Sequence, residues 1–213
     1  CGVGEYFQFS AEDLAAAQLA TVGVDIDTMK KEGVVELPDP RFQYGTPKFK
    51  TPSGKFEFSS EAVGAAGLNP VISWIPRKVM PKDGEFYIVG GKQGIHSHTM
   101  TQNIACLNAI SREYHMERLW ISAQDAEKLG VQTGDTVEVA SSEHTGQVEA
   151  RVTQRLKPGV VFLPTHYGGD SPAQTRAYRY GIALTDFIPF DMEPGVGSMM
   201  SQEVAVTVKK VEA

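Results

Sequence analysis

The sequence has few cysteines, no long hydrophobic run and no excess of positive charge. Only Cys1 and Cys106 occur among its 213 residues, so it contains neither a disulfide framework nor a Cys-x-x-Cys metal pair, and the compartment stays undecided. No apolar run approaches the roughly 18–20 residues that cross a bilayer. The formal net charge is −6, whereas nucleic-acid binding normally needs a basic face. We therefore expect no nucleic-acid partner and no direct membrane insertion.

Several signatures of catalysis are also missing. The sequence contains no Ser/His/Asp triad, Walker loop or dinucleotide-binding fingerprint, and its Asp and Glu residues are scattered rather than paired. Apolar residues make up 41% and charged residues 22%, which is typical of a globular protein with a hydrophobic core. The length predicts one medium domain, or one domain with an extension. Because the chain begins with Cys1 rather than Met, we expect a processed or truncated start.

The first 84 residues predict two segments that precede the main domain. Residues 1–33 predict the helical end of a preceding domain, with a helix at Ala11–Ala20 capped by Ser10 and another at Ile26–Lys31 ended by Gly33. Residues 34–84 carry seven prolines and predict an extended Pro/Gly-rich linker. Within this linker, Thr51–Gly54 predicts a turn and the alternating aromatics of Lys55–Ser59 predict a short strand.

Residues 85–213 predict a compact barrel. One small helix is predicted at Ala123–Leu129, starting after Ser122 and ending at Gly130. The fold class is therefore mainly β with small helices (α+β), because short strands of this number favour a barrel. The predicted strands are Phe86–Gly90, Leu119–Ile121, Thr136–Ala140, Gln147–Val152, Val160–Leu163 and Val204–Val208.

The most informative motif directly follows the first of these strands, at residues 90–103. Glycines at a strand end let a ligand approach the backbone, and a dense set of polar groups follows them. Such density is typical of a site for a polyanion or a heterocycle, although a solvated turn would have a similar composition. The candidate binding residues are Gly91, Lys92, His96, Ser97, His98, Thr99, Thr101 and Asn103.

Two other segments could contribute to the same site, and part of the motif has an alternative interpretation as a metal site. The loop at residues 165–170 follows the strand Val160–Leu163 and offers His166 and Tyr167, and the pair Thr185-Asp186 could reach the same ligand. The pair His96-x-His98 could instead bind zinc or another metal, with Cys106 or His115 as a third ligand. No third ligand follows at a convincing spacing, so this pattern alone is a weak indication of a metal site.

Taken together, four motifs in order resemble the molybdopterin oxidoreductases of the dimethyl-sulfoxide-reductase superfamily. The helical stretch at residues 9–33 and the linker at residues 51–60 resemble that family's regions before its last domain. The loop at residues 91–101 resembles its cofactor-binding loop, and residues 120–137 resemble its barrel signature. The resemblance covers most of the chain.

The resemblance implies a double-psi β-barrel that covers one side of a bis(molybdopterin guanine dinucleotide) molybdenum or tungsten centre. By this analogy the residues of the motif at 91–103 contact pterin and pyrophosphate, and His166, Tyr167, Thr185 and Asp186 make later contacts. The sequence departs from the family pattern at Ala183 and Thr185, where asparagines are common, and at Lys92, where arginine is common and a point charge would replace a forked one.

The linker and residues 186–195 are most similar to the thiosulfate, polysulfide and tetrathionate reductase branch, which implies an inorganic sulfur or related oxyanion substrate. In the family, the metal-ligating residue and the iron–sulfur cysteines precede this region, so we expect the fragment alone to be inactive. The implied partners are the remainder of the catalytic subunit, an iron–sulfur electron-transfer subunit and a membrane anchor subunit, in a periplasmic or membrane-associated complex. The alternatives are a non-enzymatic barrel that binds proteins or peptides, and a small metalloprotein built on His96 and His98.

Overall fold

The computed structural model describes residues 2–36, 49–71, 73–98, 100–193 and 197–212. It divides into two compact units, Cys1–Ser60 and Glu61–Ala213, which are considered separately. The boundary between the units falls inside the segment 34–84 that the sequence predicts as a linker. The division into three parts at residues 33 and 84 stays a prediction.

The first unit contains the two helices that the sequence predicts, α1 (Ala11–Ala20) and α2 (Ile26–Glu32), after a 3₁₀ turn at Gly4–Phe7. Ser10 begins α1 with a reciprocal capping box: its Oγ accepts from the Asp13 amide at 3.1 Å, and the Asp13 carboxylate accepts from the Ser10 amide at 2.8 Å. These bonds satisfy amides that have no partner within the helix. Gly33, with φ of 73°, ends α2, so the predicted helix ends are confirmed.

The strand predicted at Lys55–Ser59 is wrong, whereas the turn before it is confirmed. The Gly54 amide donates to the Thr51 carbonyl at 3.0 Å, but no strand forms over residues 55–58. Phe56 and Phe58 are 63% and 83% exposed and pack edge-on against each other, with ring centroids 5.1 Å apart. Their alternation therefore serves a local aromatic contact and does not bury one face of a sheet.

The second unit is built on a closed six-stranded barrel with the order β1-β5-β2-β4-β3-β6. The neighbours β1–β5 and β2–β4 are parallel, and the other adjacent pairs are antiparallel. All six predicted strands are present, and the barrel is of the double-psi type that the resemblance implies. The strands are β1 (Glu85–Gly91), β2 (Leu119–Ser122), β3 (Thr136–Ala140), β4 (Thr145–Thr153), β5 (Val160–Pro164) and β6 (Ala205–Lys210).

The hydrophobic core fills the inside of this barrel. Alternate residues of the strands point inward because successive side chains of a strand lie on opposite faces, and the most deeply buried of them are aliphatic. Phe187 enters the same core from a 3₁₀ turn at Leu184–Phe187. The fully buried strand residues include Ile88, Leu119, Ile121, Val137, Val139, Val161, Leu163 and Val206.

Three α-helices accompany the barrel: α3 (Glu61–Ala65), α4 (Ala105–Glu113) and α5 (Ala123–Leu129). Helix α5 begins at Ser122 and ends at Gly130 as predicted. The sequence predicts no other helix in this region, and α4 corrects that expectation. Helix α4 has no side-chain cap and turns Asn108 and Ser111 inward, so it lacks the usual start signal and an apolar buried face. Over the described ranges, no helix combines the length and apolar character needed to cross a bilayer.

Candidate functional site

The parallel pairing of β1 and β5 brings two polar loops to the same edge of the barrel. In this register Gly91 lies opposite Pro164, so both strands end side by side. Thr165 joins the two ends, because its amide and its hydroxyl both donate to the Gly91 carbonyl, at 2.9 and 3.1 Å. The loops that begin at residues 92 and 165 therefore diverge from one point, although more than 70 residues separate them in sequence.

A cavity of about 590 Å³ opens at this point. It is large enough for a sizeable part of a ligand, since small-molecule sites commonly occupy about 300–1,000 Å³. Both loops line it, together with the chain around residue 184. Its lining residues are Gly91, Lys92, Gln102, Thr165, His166, Tyr167, Gly169, Gln174, Ala183, Leu184 and Thr185.

At two glycines, Gly168 and Gly90, neighbouring atoms approach the backbone closely and shape the wall of this cavity. At Gly168, with φ of 78°, an added Cβ would lie 2.2 Å from the Ala183 amide nitrogen, and the Gly168 amide donates to the Tyr180 carbonyl at 2.8 Å. At Gly90 a Cβ would lie 2.0 Å from the Leu184 Cδ2 atom. The Gly168 contacts are with backbone atoms at a positive φ, so only glycine permits them and residues 182–183 lie directly against the loop after β5. The Gly90 contact is with the end of the Leu184 side chain, which packs against β1.

Two side chains of the cavity lining have buried polar atoms without a hydrogen-bond partner among the described residues: Gln102 Nε2 and His166 Nε2. Gln102 is 5% exposed. His166 has φ of 83°, a conformation that non-glycine residues seldom adopt. An unpaired buried polar group costs about 1–3 kcal/mol, so groups left in this state at a cavity indicate a ligand that pairs with them.

The electrostatics of the cavity favour an anionic ligand. Burial lowers the pKa of His166, and the charges of Lys92 and then His98 lower it further. His166 is therefore a neutral imidazole near neutral pH, while Lys92 is exposed and carries the positive charge of the cavity lining. One cation beside neutral hydrogen-bonding groups is a suitable environment for a phosphate ester.

His96 and Thr101, both predicted as ligand contacts, are not among the residues that line the cavity. His96 is 5% exposed; its Nδ1 lies 3.2 Å from Thr101 Oγ1, and its Nε2 lies 2.5 Å from Ser111 Oγ. Ser111 Oγ lies 3.0 Å from the Tyr167 hydroxyl. This buried chain of hydrogen bonds links the loop after β1, helix α4 and the loop after β5. Because Tyr167 also lines the cavity, the network supports the cavity wall.

The same geometry argues against a metal site at His96 and His98. Both ring nitrogens of His96 are engaged with hydroxyl groups, which leaves neither for a metal. Burial, followed by the charge of His166, lowers the pKa of His96. Neither His96 nor His98 belongs to the group of side chains whose arrangement could hold a metal ion within the described residues.

The other predicted site residues occupy varied positions. Asn103 accepts the amides of Arg176 and Ala177 at 2.7 and 3.3 Å, and so ties the loop after β1 to that after β5. Ser97 is exposed and donates its amide to Thr101 Oγ1 at 2.9 Å. Asp186 is exposed and does not line the cavity. Thr99 lies outside the described residues.

Gly91, Lys92, His166, Tyr167 and Thr185 are therefore the predicted residues that the structure brings together. Gln102 was missed although it lies inside the predicted motif, because an amide side chain in a polar loop carries no special signal. The other lining residues outside the predicted set give even less of a signal, because the fold of the two loops and of the chain around residue 184 places them there. They are Thr165, Gly169, Gln174, Ala183 and Leu184.

Comparison with known proteins identifies the family of the barrel. Residues 86–196 match the family model described as "Molydopterin dinucleotide binding domain". A segment of 153 residues, 72% of the chain, is 25% identical to the thiosulfate reductase molybdopterin-containing subunit PhsA of Salmonella typhimurium and covers 20% of that protein. A segment of 91 residues, 43% of the chain, is 34% identical to the alpha subunit of the F420-dependent formate dehydrogenase of Methanocaldococcus jannaschii and covers 13% of it.

Two further similarities extend the comparison. Dimethyl sulfoxide reductase DmsA of Escherichia coli is 25% identical over 162 residues, which cover 64% of the chain and 19% of that protein. The solved structure of acetylene hydratase from Pelobacter acetylenicus superposes with a TM-score of 0.66 at 15% identity, over 91% of the chain and 29% of that structure. This structural likeness supports the fold. The chain spans about a fifth of the length of its relatives PhsA and DmsA.

The family match covers 111 of the 213 residues and contains the whole cavity lining. The structure contributes the barrel, the two convergent loops and the unpaired polar groups of the cavity lining. The chain belongs to the molybdopterin oxidoreductases of the dimethyl-sulfoxide-reductase superfamily, and residues 86–196 are its molybdopterin dinucleotide-binding domain.

Proposed function

We propose that this chain is the carboxy-terminal part of the catalytic subunit of a molybdenum or tungsten oxidoreductase, that it binds molybdopterin guanine dinucleotide at the described cavity, and that the enzyme reduces an inorganic sulfur or related oxyanion. The similarity to a thiosulfate reductase subunit over 72% of the chain supports the substrate class. The relatives also include dimethyl sulfoxide reductases and formate dehydrogenases, so the substrate class is tested separately from the cofactor site.

The observation that carries the cofactor assignment is the pair of unpaired buried atoms, Gln102 Nε2 and His166 Nε2, at one cavity with Lys92. This set fits the cofactor chemically, because a pterin dinucleotide combines an anionic pyrophosphate with heterocycles rich in carbonyl and ring-nitrogen acceptors. Lys92 would neutralise the pyrophosphate. The Gln102 amide and the His166 imidazole would pair with the polar edges of the ligand.

The bound cofactor would supply the redox chemistry at its metal. The residues of this chain would bind and orient it. The close approaches of Gly168 and Gly90 to residues 183 and 184 fix the cavity wall, and Tyr167 and Leu184 cover it with buried apolar surface. Because hydrogen bonds strengthen where water is excluded, this wall would make the few polar contacts more effective.

We further propose that the chain alone does not turn over substrate. The metal ligand, an iron–sulfur cluster, an iron–sulfur electron-transfer subunit and a membrane anchor would come from the remainder of the catalytic subunit and its complex. The support is that the matched segments cover only about a fifth of PhsA and DmsA.

Cofactor content of the full-length enzyme tests the binding site. Lys92→Glu should lower the molybdenum or tungsten and the guanine nucleotide per chain at least about tenfold, because it places a negative charge beside a pyrophosphate. Gln102→Leu removes one buried hydrogen bond of about 1–3 kcal/mol, so retention after dialysis should fall by about tenfold.

Two exposed residues provide matched controls. Lys157→Glu and Gln147→Leu make the same chemical changes at positions that do not line the cavity, and the cofactor content should stay at the wild-type level. Equal content in all four variants would remove the cavity from the proposal. The substrate class is tested separately, with a reduced dye as electron donor for thiosulfate, polysulfide and dimethyl sulfoxide and with an oxidised dye as electron acceptor for formate. Turnover of formate or dimethyl sulfoxide, but not of thiosulfate or polysulfide, would contradict it.

A further inference from the structure

A second cluster of chemically active side chains lies outside the cavity lining, at His115, Glu117 and Glu149. One ligand atom from each of the three lies within 4.8 Å of the others. His115 Nδ1 is 3.8 Å from Glu117 Oε1 and 3.9 Å from Glu149 Oε2. None of the three residues lines the cofactor cavity. The cluster therefore needs an explanation of its own.

Glu117 is the least expected member, because it is 8% exposed and its contacts do not neutralise a buried negative charge. Its Oε2 accepts a short hydrogen bond from the Tyr180 hydroxyl, a neutral donor. Among the described residues, the imidazole of His115 is the one basic group within ion-pair distance of Glu117. A buried carboxylate in this position favours a cation beside it.

Hydrogen bonds from Tyr180 and Arg118 also hold the two carboxylates in place. Tyr180 holds Glu117, and Arg118 donates to Glu149 Oε2 from Nε at 2.8 Å and from Nη2 at 2.6 Å. Such outer hydrogen bonds orient metal ligands in proteins. Arg118 neutralises one carboxylate, so with a neutral imidazole the four side chains carry a net charge of −1, which still attracts a divalent cation.

We propose that His115, Glu117 and Glu149 form a binding site for a first-row divalent cation of the zinc type. An imidazole nitrogen with two carboxylates is a donor set that suits Zn²⁺, whereas Mg²⁺ and Ca²⁺ prefer oxygen ligands alone. Ligands at about 2.0–2.2 Å from a tetrahedral zinc ion lie about 3.3–3.6 Å apart. The observed separations of 3.8 and 3.9 Å between His115 and each carboxylate therefore need shifts of a few tenths of an ångström. The two carboxylates lie within 4.8 Å of each other, so that separation closes by at most about 1.5 Å. Water would complete the coordination, because His115 and Glu149 are half exposed.

Zinc binding to the full-length enzyme tests this site independently of the cofactor. After treatment with a chelator, the enzyme is dialysed against Zn²⁺, and zinc and molybdenum or tungsten are counted per chain by mass spectrometry. His115→Ala and Glu149→Gln should each lower zinc affinity at least about tenfold and remove one zinc equivalent at limiting Zn²⁺. His144→Ala, at another exposed histidine, should leave the zinc content unchanged. The molybdenum or tungsten content should match wild type in all three variants.

A second measurement uses the unaltered protein, so it does not depend on whether the variants fold. Zn²⁺ should protect His115 from carbethoxylation by diethylpyrocarbonate at least about fivefold, as measured by peptide mass spectrometry, while His144 in the same molecule reacts at an unchanged rate. Zinc content unchanged by both substitutions, or a His115 reaction rate that Zn²⁺ does not alter, would overturn the proposal. Loss of cofactor in Lys92→Glu would have no bearing on it.

Discussion

Replacing Gly168 by alanine should destabilise the barrel and loosen the wall of the cavity. Gly168 has φ of 78°, and an added Cβ would lie 2.2 Å from the Ala183 nitrogen and 2.4 Å from the Ile182 carbonyl carbon. The left-handed conformation costs an alanine about 1–2 kcal/mol. The contacts are with backbone atoms, which cannot rotate away, and overpacking of this kind adds typically about 1–3 kcal/mol.

Gly159 provides a control that isolates the steric part of this cost. Its φ is 83°, but an added Cβ would meet no atom within 4 Å. Gly159→Ala should therefore show the conformational cost alone, and Gly168→Ala should be less stable than this control by about 1–3 kcal/mol.

Thermal unfolding followed by circular dichroism measures this difference. For a chain of this size 1 kcal/mol corresponds to about 2–4 °C, so Gly168→Ala should melt at least about 2 °C below Gly159→Ala. The Gly168 variant should also retain less cofactor in the full-length enzyme, because residues 183–185 would move away from the loop after β5. Equal melting temperatures together with equal cofactor content would refute the assigned role of this close approach.

Two other predictions concern the buried hydrogen bonds below the cavity. Ser111→Ala removes the hydroxyl between His96 and Tyr167 and should lower the free energy of unfolding, measured with urea, by about 1–3 kcal/mol. Ser142→Ala, at an exposed position, should change this free energy by less than about 0.5 kcal/mol. Similar losses in the two variants would contradict the network. Burial lowers the pKa of His96, so below its ordinary value of about 6.5 the folded state binds fewer protons than the unfolded state. Stability should therefore fall as the pH drops from 7.5 to 5.5, and by less in His96→Gln; an identical pH dependence in both proteins would refute this.

Much of the fold could be predicted from the sequence because its signals are local. Helix ends are marked by residues whose effect is confined to the next few positions. Ser10 and Ser122 accept hydrogen bonds from backbone amides three residues further on, and Gly130 ends its helix in the left-handed conformation. Short apolar runs beside turn residues, with clear alternation at Gln147–Val152, located the six strands, whose buried residues belong to a single core. Where alternation served another purpose, as at Phe56 and Phe58, the predicted strand was wrong.

Less of the site could be predicted, because its geometry depends on which strands are neighbours. Lys92 and His166 were found as candidates on chemical grounds, but their proximity follows from the parallel register of β1 and β5. Ser111 could not be found, since a serine on an uncapped helix gives no sign that it bridges two loops. His96 illustrates the same difficulty: its chemistry suited a ligand contact, yet the fold engages both of its ring nitrogens with the hydroxyl groups of Thr101 and Ser111.

Closure of the barrel depends on the last strand in the sequence of the barrel, β6. Its two main loops leave β1 and β5, and the last strand, β6, joins β1 to β3. Half-folded chains that have not added residues 205–210 would leave the barrel open between β1 and β3. A ligand that binds only the closed barrel would stabilise the folded molecule by mass action, so cofactor binding would favour completion of the last strand, β6.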